Sequence, residues 1–157
     1  MNHRIALQHA SQSPLPVKDH EIRKWVRAAL ENPASEAPFE LTLRFVDNSE
    51  IHALNRTWRQ QDKPTNVLAF PANLPEGIRL TRTLLGDIVI APEVLKHESE
   101  EQQRDLRAHC AHIVIHGVLH LLGHDHLEET DTARMQAEEI RLLARFGFAN
   151  PYEGQAS

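Results

Sequence analysis

The sequence is poor in cysteine, in long apolar segments and in excess positive charge, and each shortage excludes a class of protein. Cys110 is the single cysteine among 157 residues, so no internal disulfide can form. The most apolar stretch, residues 113–122, is too short to cross a bilayer and contains two histidines. The formal net charge of −5 disfavours bulk electrostatic binding to nucleic acid, although a local basic groove is compatible with it.

The start of the sequence and its composition predict a cytoplasmic protein of one domain. The first 18 residues have neither a continuous apolar segment nor a small-residue cleavage site, so we expect no secretory signal. With a single cysteine, this indicates a reducing, cytoplasmic setting and no association with a membrane. Apolar residues at 41% and charged residues at 25% are typical of a globular domain, which we expect over 1–157, with a loose tail at 151–157.

Hydrophobic periodicity predicts an α+β fold. Alternating or continuous apolar residues indicate four strands, near 5–7, 41–45, 67–70 and 84–90. Apolar residues three and four apart indicate helices near 17–31, 49–60 and 129–145, a short helix after Pro92, and a long helix over 101–122 that ends at Gly123. We therefore expect a mixed sheet of about four strands, packed with about five or six helices, with the functional site at the end of the long helix.

The same patterns predict which side chains are buried. Trp25 and Trp58 fall on apolar helical faces and are expected in the core. The continuous apolar strand at 84–90 is expected to be covered on both faces. The last helix is expected to pack through one face, formed by Ala133, Ala137, Ile140 and Leu143.

Histidine is unusually abundant, with 11 residues, and three of them have the spacing of metal ligands. His116 and His120 are four residues apart, so a helix places both imidazoles on one face, one turn apart. Gly123 tolerates a positive φ and lets the chain turn back, so that His126 can supply a third ligand. Three imidazoles and a water form an open zinc site. We therefore predict one Zn²⁺ per chain, held by His116, His120 and His126.

The residues around this motif separate a reactive zinc site from two alternatives. A structural site is usually closed by a fourth protein ligand, but Cys110 lies six residues before His116 and off the histidine face of the helix. The His-x3-His-x5-His spacing is also that of metzincin proteases, in which a glutamate follows the first histidine as the general base. Here that residue is Gly117, which argues for a substrate other than a peptide.

Other polar residues near the motif are candidates for supporting roles. His112 lies one turn before His116 on the same face and is expected beside the ligands, not among them. Asp125 could orient an imidazole and His124 could carry a proton, with an ordinary turn residue as the alternative for each. Asp87 interrupts the apolar strand and is expected to hydrogen-bond near the site.

Three further blocks accompany the histidines in a fixed order. The four blocks are Asn55-x3-Arg59, Pro64-Thr-Asn-Val-Leu-Ala-Phe-Pro71, Leu85-Gly-Asp-Ile88 and His112-x3-His116-Gly-Val-Leu-His-Leu-Leu-Gly-His-Asp-His126. Their order and spacing, over about 41–146, resemble those of the YbeY family of bacterial endoribonucleases and rRNA maturation factors. Two positions depart from the family's pattern: Asn66, where the family often has Asp, and Ala69, where it often has Ser.

This resemblance implies a metal-dependent endonuclease for single-stranded RNA, acting in 16S rRNA 3′-end maturation and in ribosome quality control. It implies zinc at His116, His120 and His126, and a catalytic arginine at Arg59. A guanidinium suits that role because it binds phosphate bidentately and stabilises developing charge. The implied partners are single-stranded rRNA, the small ribosomal subunit, and ribosomal or assembly-factor proteins.

Two other functions fit the same residues. One is a metzincin-like hydrolase that lacks the usual glutamate, and the missing base at position 117 weighs against it. The other is a ribosome-assembly factor whose zinc only shapes a binding surface, and the open coordination position weighs against that. Two chemical routes for an endonuclease also stay open: attack by a zinc-bound water or attack by the ribose 2′-OH.

Overall fold

The computed structural model describes residues 2–31, 38–72, 83–123 and 129–153. These ranges contain four strands: β1 (Arg4–His9), β2 (Phe39–Phe45), β3 (Val67–Pro71) and β4 (Thr83–Ile90). They also contain five helices: α1 (Asp19–Leu30), α2 (Asn48–Arg59), α3 (Pro92–Glu101), α4 (Leu106–Leu121) and α5 (Glu129–Arg145). No helix within these ranges is long and apolar enough to span a bilayer.

The strands form one mixed sheet in the order β1-β2-β4-β3. The β1–β2 and β2–β4 pairs are parallel, and β3 joins the edge of the sheet antiparallel to β4. The α+β class and the four-stranded mixed sheet predicted from the sequence are therefore confirmed. The parallel pairs arise because the connections between their strands contain helices, which return the chain to the same end of the sheet.

Helix α4 is the centre of the packing. It is buried on almost every side, as expected for a helix that is apolar all round, and it contacts α1, α3, α5 and the β3–β4 half of the sheet. Strand β2 supplies the facing layer through alternate residues, which are Phe39, Leu41, Leu43 and Phe45. Each such buried side chain contributes roughly 1.5–3 kcal/mol relative to an exposed one. The histidines of α4 are thereby carried by the helix that is most deeply buried in the core.

Gly117 allows α4 to lie close against β4. A Cβ added at this position would stand 3.0 Å from Cγ2 and 3.3 Å from Cδ1 of Ile88. Ile88 is fully buried and branched at its own Cβ, so it has little freedom to move aside. The glycine therefore sets the distance between the sheet and the helix that carries His116 and His120.

The predicted long helix over 101–122 is wrong at its N-terminal end. The chain forms two helices, since α3 ends at Glu101 and α4 begins at Leu106. Between them Gln103 adopts a left-handed backbone with φ of 53°. Asp105 then caps α4, its carboxylate accepting the Ala108 N–H at 3.1 Å. The periodicity did not reveal the break, because the polar residues in it also suit an exposed helical face.

Two predictions of burial on the face of the sheet opposite α4 are also wrong. Trp25 is buried as expected, but Trp58 is 60% exposed. Strand β4 is not covered on both faces, because Asp87 is exposed on the side opposite Ile88. Both errors have one cause: α2 covers only part of this face, so side chains that the pattern assigned to the interior lie at its open edge.

The buried face of α5 differs from the predicted one. Ala133 and Ala137 are exposed and Ile140 is partly buried. The side chains that pack inward are Met135, Glu139, Leu142 and Leu143. The apolar pattern assigned Glu139, as a charged residue, to the exposed side of α5. The predicted buried face was therefore centred on the alanines instead of on Met135 and Glu139.

The chain remains packed at the start of the expected loose tail. Pro151 is buried, and Tyr152 contacts side chains of the interior. Residues 154–157 lie outside the described part of the chain.

Candidate metal centre

A cleft of about 250 Å³ lies where α2, β3 and α4 meet. Its lining is formed by Arg59, Asn66, Val67, Leu68, Ala69, His116, Gly117 and His120. The His116 and His120 rings are 4.6 Å apart between centroids, because the four-residue spacing places them on successive turns of α4. The sequence-predicted residues Arg59, His116 and His120 therefore share one cleft. His124, Asp125 and His126 lie outside the described residues.

Glu139 supports His116 from behind, on the side of the protein interior. The Nδ1 of His116 donates to Oε1 of Glu139 at 2.5 Å. The other carboxylate oxygen, Oε2, accepts from Nε2 of His112 at 3.2 Å and from the Tyr152 hydroxyl. Glu139 itself is fully buried. A buried carboxylate with this set of donors fixes the orientation of both imidazoles.

The electrostatics of this cluster keep Glu139 ionised. Burial on its own would raise the pKa of Glu139, but hydrogen bonds from His112, His116 and Tyr152 outweigh that effect and lower the pKa to about 2. Burial lowers the pKa of His112, and the contact with Glu139 only partly opposes this effect. Burial, together with the Glu139 carboxylate, raises the pKa of the Tyr152 hydroxyl. The Glu139 carboxylate is therefore negative, and His112 and Tyr152 keep the protons that they donate to it.

Two sets of side chains have the chemistry to hold a metal ion. Ligand atoms of His112, His116 and Glu139 all lie within 4.8 Å of one another, so this cluster could bind a metal. His116 and His120 offer a second arrangement, in the cleft. In the first set His112 and Glu139 are buried, and both carboxylate oxygens already accept hydrogen bonds. The His116–His120 pair instead lines a cleft that a substrate can reach. Imidazole donors suit zinc in either case.

Arg59 is held at the rim of the cleft by β3. Its Nη2 donates to the carbonyl oxygen of Ala69 at 2.9 Å. Its guanidinium carbon lies 5.2 Å from the centroid of the Phe70 ring, within the range of a cation–π contact. The side chain is exposed, so its remaining N–H groups are placed where an anionic substrate could bind them.

Asn66, which also lines the cleft, is held by Glu98. Its Nδ2 donates to both carboxylate oxygens, at 3.2 and 3.3 Å. Glu98 also accepts from Nε2 of His109 at 3.0 Å, and Nδ1 of His109 accepts from Arg104 at 3.2 Å. Burial would raise the pKa of Glu98, but the bonds from His109 and Asn66 prevail and lower it. An aspartate at position 66 could not donate to this carboxylate, which accounts for an amide here.

Two residues near the motif have no part in the cleft. Asp87 lies on the other face of the sheet, so the expected hydrogen bond near the site is wrong. Cys110 is buried beside the core, and burial raises the pKa of its thiol to about 12. It is therefore an inert core residue, as its position off the histidine face indicates.

Glu139 and Tyr152 are the residues of this region that sequence reasoning missed. The sequence does contain an indication of Glu139. It lies one helical turn after Met135 and one turn before Leu142 and Leu143, and so on the buried face of α5. An acidic residue on such a face needs buried donors, and the excess of histidines on α4 could have suggested them.

The fold and the cleft define an α+β protein with a potential histidine–carboxylate metal site. Comparison with known proteins gives the family. The model of the family described as Endoribonuclease YbeY matches residues 7–147. The chain belongs to this family.

Relatives in the family match the chain over nearly its whole length. Endoribonuclease YbeY of Legionella pneumophila (strain Corby) is 49% identical over 153 residues, covering 98% of this chain and 96% of the relative. That of Colwellia psychrerythraea is 46% identical over 155 residues, covering 97% and 98%. The solution structure of TM1509 from Thermotoga maritima has a TM-score of 0.55 at 21% identity, covering 96% of this chain and 99% of that one, and supports the fold.

Proposed function

We propose that this chain is a zinc-dependent endoribonuclease that cleaves single-stranded RNA in the maturation of 16S rRNA 3′ ends and in ribosome quality control. The observation that carries the proposal is the meeting of Arg59, His116 and His120 in one cleft, in a chain whose relatives are named endoribonucleases. A guanidinium and a pair of metal-ligand side chains can stabilise the negative charge that develops during phosphodiester cleavage.

In this proposal His116, His120 and His126 hold one zinc ion. His116 would bind through Nε2, because its Nδ1 donates to Glu139. Held there, the ion would supply Lewis-acid chemistry toward the phosphate and toward the nucleophile. Glu139 keeps the His116 ring in the required tautomer, and Arg59 offers guanidinium N–H groups to the phosphate. His112 acts through Glu139, and His124 and Asp125 are proposed to support the ligands.

The position of Gly117 weighs against a peptidase. A metzincin-like base at this position would need a side chain that starts toward Ile88, where even a Cβ is crowded at 3.0 Å. The packing of α4 against Ile88 therefore disfavours a side chain, and with it that base, at position 117. The accessible cleft favours catalysis over a zinc that only shapes a surface, because a purely structural ion needs no route for substrate.

The cellular setting follows from the same proposal. We propose that the protein is a single cytoplasmic domain that reaches rRNA on the small ribosomal subunit with the help of ribosomal or assembly-factor proteins. The net charge of −5 supports such help, since long-range attraction to free RNA would be weak. Tight, salt-insensitive binding of the isolated protein to naked RNA would contradict this part of the proposal.

The role of Arg59 gives a direct test. We would measure cleavage of a single-stranded rRNA fragment and a matched duplex by wild type, Arg59→Ala and Arg59→Lys. We expect a fall in kcat of about 10²-fold or more for Arg59→Ala, and a smaller fall for Arg59→Lys, which keeps the charge without the bidentate geometry. Arg141→Ala, which removes an exposed arginine paired with Glu138, is the matched control and should cleave normally. Equal cleavage of duplex and single strand, or full activity of Arg59→Ala, would contradict the proposal.

A further inference from the structure

Trp58 lies on the surface, next to the cleft. Within the described part of the chain it is the one large apolar side chain that is mostly exposed, at 60%. It borders a shallow groove of about 600 Å³ on the sheet face opposite α4. The apolar lining of this groove is formed by Leu54, Trp58, Phe70, Pro71 and Val89. An exposed indole over an apolar groove is a surface that can accept a flat apolar ligand.

Phe70 connects this groove to the cleft. Its ring meets the Trp58 ring edge to face, with centroids 6.3 Å apart and planes at 73°. The same ring carries the Arg59 guanidinium at 5.2 Å. Trp58 and Arg59 are consecutive on α2, so their side chains leave the helix about 100° apart. Edge strand β3 therefore has the indole on its groove side and the guanidinium on its cleft side.

The charges match one strand of RNA that crosses this edge. Three exposed cations, Arg56, Arg59 and Lys63, lie at the end of α2, and the nearby carboxylate of Asp62 is hydrogen-bonded to His52 at 2.7 Å. This cluster of positive charge stands out in a protein with a net charge of −5. Phosphates are attracted to such a cluster, while bases stack on aromatic rings.

The groove itself suits a base better than a phosphate. Its arginine, Arg44, is engaged by Glu50 through two hydrogen bonds, of 2.9 and 3.2 Å. Asp87 adds an exposed carboxylate to the lining, which repels phosphate but can accept a hydrogen bond from the N–H groups of a base.

We propose that Trp58 is a stacking platform for one base of single-stranded RNA, whose neighbouring phosphate binds at Arg59. This inference rests on the proposed function, because it assigns the substrate of that function a binding site outside the metal centre. It also accounts for a preference for single strands, since a base inside a duplex cannot leave its stack to lie on the indole without loss of pairing. Any base has a face to stack, so the platform selects for unpaired RNA and not for sequence.

The test is a binding experiment that does not depend on cleavage. We would measure the Kd of a labelled, single-stranded 2′-O-methyl oligoribonucleotide by fluorescence anisotropy, for wild type, Trp58→Ala and Trp58→Phe. We expect Trp58→Ala to raise the Kd about 5- to 150-fold, which is the range for loss of one base–aromatic stack. Trp58→Phe keeps a ring and should stay within about 3-fold of wild type. Because Trp58 is mostly exposed, both variants should melt as wild type does.

A second set of oligonucleotides, each with one abasic position, identifies the stacked base. At one position, removal of the base should weaken binding to wild type as much as Trp58→Ala weakens binding of the intact oligonucleotide. With the Trp58→Ala protein, removal of that same base should cause no additional loss of affinity. An unchanged Kd for Trp58→Ala, additive losses at every abasic position, or no binding by wild type would overturn the platform. Cleavage by Trp58→Ala at the wild-type KM would be compatible with the proposed nuclease but would also overturn the platform. Loss of binding in Trp58→Ala, with no cleavage by wild type, would support the platform and contradict the nuclease.

Discussion

The Nδ1 of His116 donates a hydrogen bond to the fully buried carboxylate of Glu139 at 2.5 Å. This contact joins α4 to α5 and sets which nitrogen of His116 carries a proton. Metal-binding histidines are commonly oriented in this way by a carboxylate, which also strengthens the ligand. The same carboxylate accepts from His112 and Tyr152, so one buried charge ties the candidate metal centre to the C-terminal part of the described chain.

Replacing Glu139 should weaken zinc binding in a protein that is still folded. We expect Glu139→Ala to lower the zinc affinity about 10- to 100-fold, because His116 loses the group that orients it. Glu139→Gln keeps an oxygen acceptor and should fall between Glu139→Ala and wild type. Competition with a chelator measures the affinity, and Glu138→Ala is the control on the adjacent residue. A folded Glu139→Ala that binds zinc as wild type does would show that the carboxylate is only structural.

A methyl group at position 117 should push α4 away from the sheet. Gly117→Ala gains about 1 kcal/mol of helix propensity, but the crowding against Ile88 costs about 1–3 kcal/mol. Since the nearest contact is 3.0 Å and Ile88 has little freedom to move aside, we expect a net loss of about 1 kcal/mol in the free energy of urea unfolding.

The matched background for this test removes the crowding atoms. In an Ile88→Ala protein, whose own loss is about 2–5 kcal/mol, adding Gly117→Ala should be neutral or stabilising. If Gly117→Ala were equally destabilising in both backgrounds, contact with Ile88 would not be the reason for the glycine.

Replacing Asn66 with the aspartate common in the family should introduce repulsion here. Asn66→Asp removes the donor to Glu98 and sets a second carboxylate about 3 Å from it, which we expect to cost about 1–3 kcal/mol at neutral pH. Asn66→Asp combined with Glu98→Gln should recover most of this loss, because the new amide can donate to Asp. Failure of the double variant to recover would refute the pairing as the reason for the amide.

The pH dependence of the same pair has a definite sign. In wild type the pKa of Glu98 is lowered from 4.5, so its stabilising contribution is present above that value and declines as the pH falls through the folded-state pKa. In Asn66→Asp, mutual repulsion raises the carboxyl pKa values, so the folded state takes up a proton more readily than the unfolded state. The difference in unfolding free energy between the two proteins should therefore shrink as the pH is lowered to about 4.

Local spacing was enough to predict that His116 and His120 lie side by side, but not which residues contact His116 from the interior. His116 and His120 are one helical turn apart, so any helix through them brings their rings together. Glu139 lies 23 residues from His116, and only the packing of α5 on α4 brings them into contact. A pattern that counts apolar residues treats a buried carboxylate as exposed, so it misplaced both Glu139 and the face of α5.

The sequence predicted an element correctly where a single hydrophobic periodicity determines it. The prediction failed where a helix cap sets the end of an element, or where part of a sheet face is left uncovered. Strand β2 alternates cleanly and was assigned correctly. The break between α3 and α4 depends on the left-handed Gln103 and the cap at Asp105, and neither changes the apolar spacing. Trp58 follows an apolar helical stripe but lies past the edge of the covered sheet, which no local pattern records.

We propose that the metal binds in the cleft, at His116 and His120, and not in the cluster of His112, His116 and Glu139. His112 and His120 stand one turn to either side of His116, so they form a matched pair. We would purify wild type, His112→Gln and His120→Gln without a histidine tag, measure zinc per chain, and assay cleavage of single-stranded rRNA. We expect about one zinc ion per chain and cleavage for wild type and His112→Gln, and loss of both for His120→Gln. Zinc retained by His120→Gln but lost from His112→Gln would contradict it and place the metal in the buried cluster.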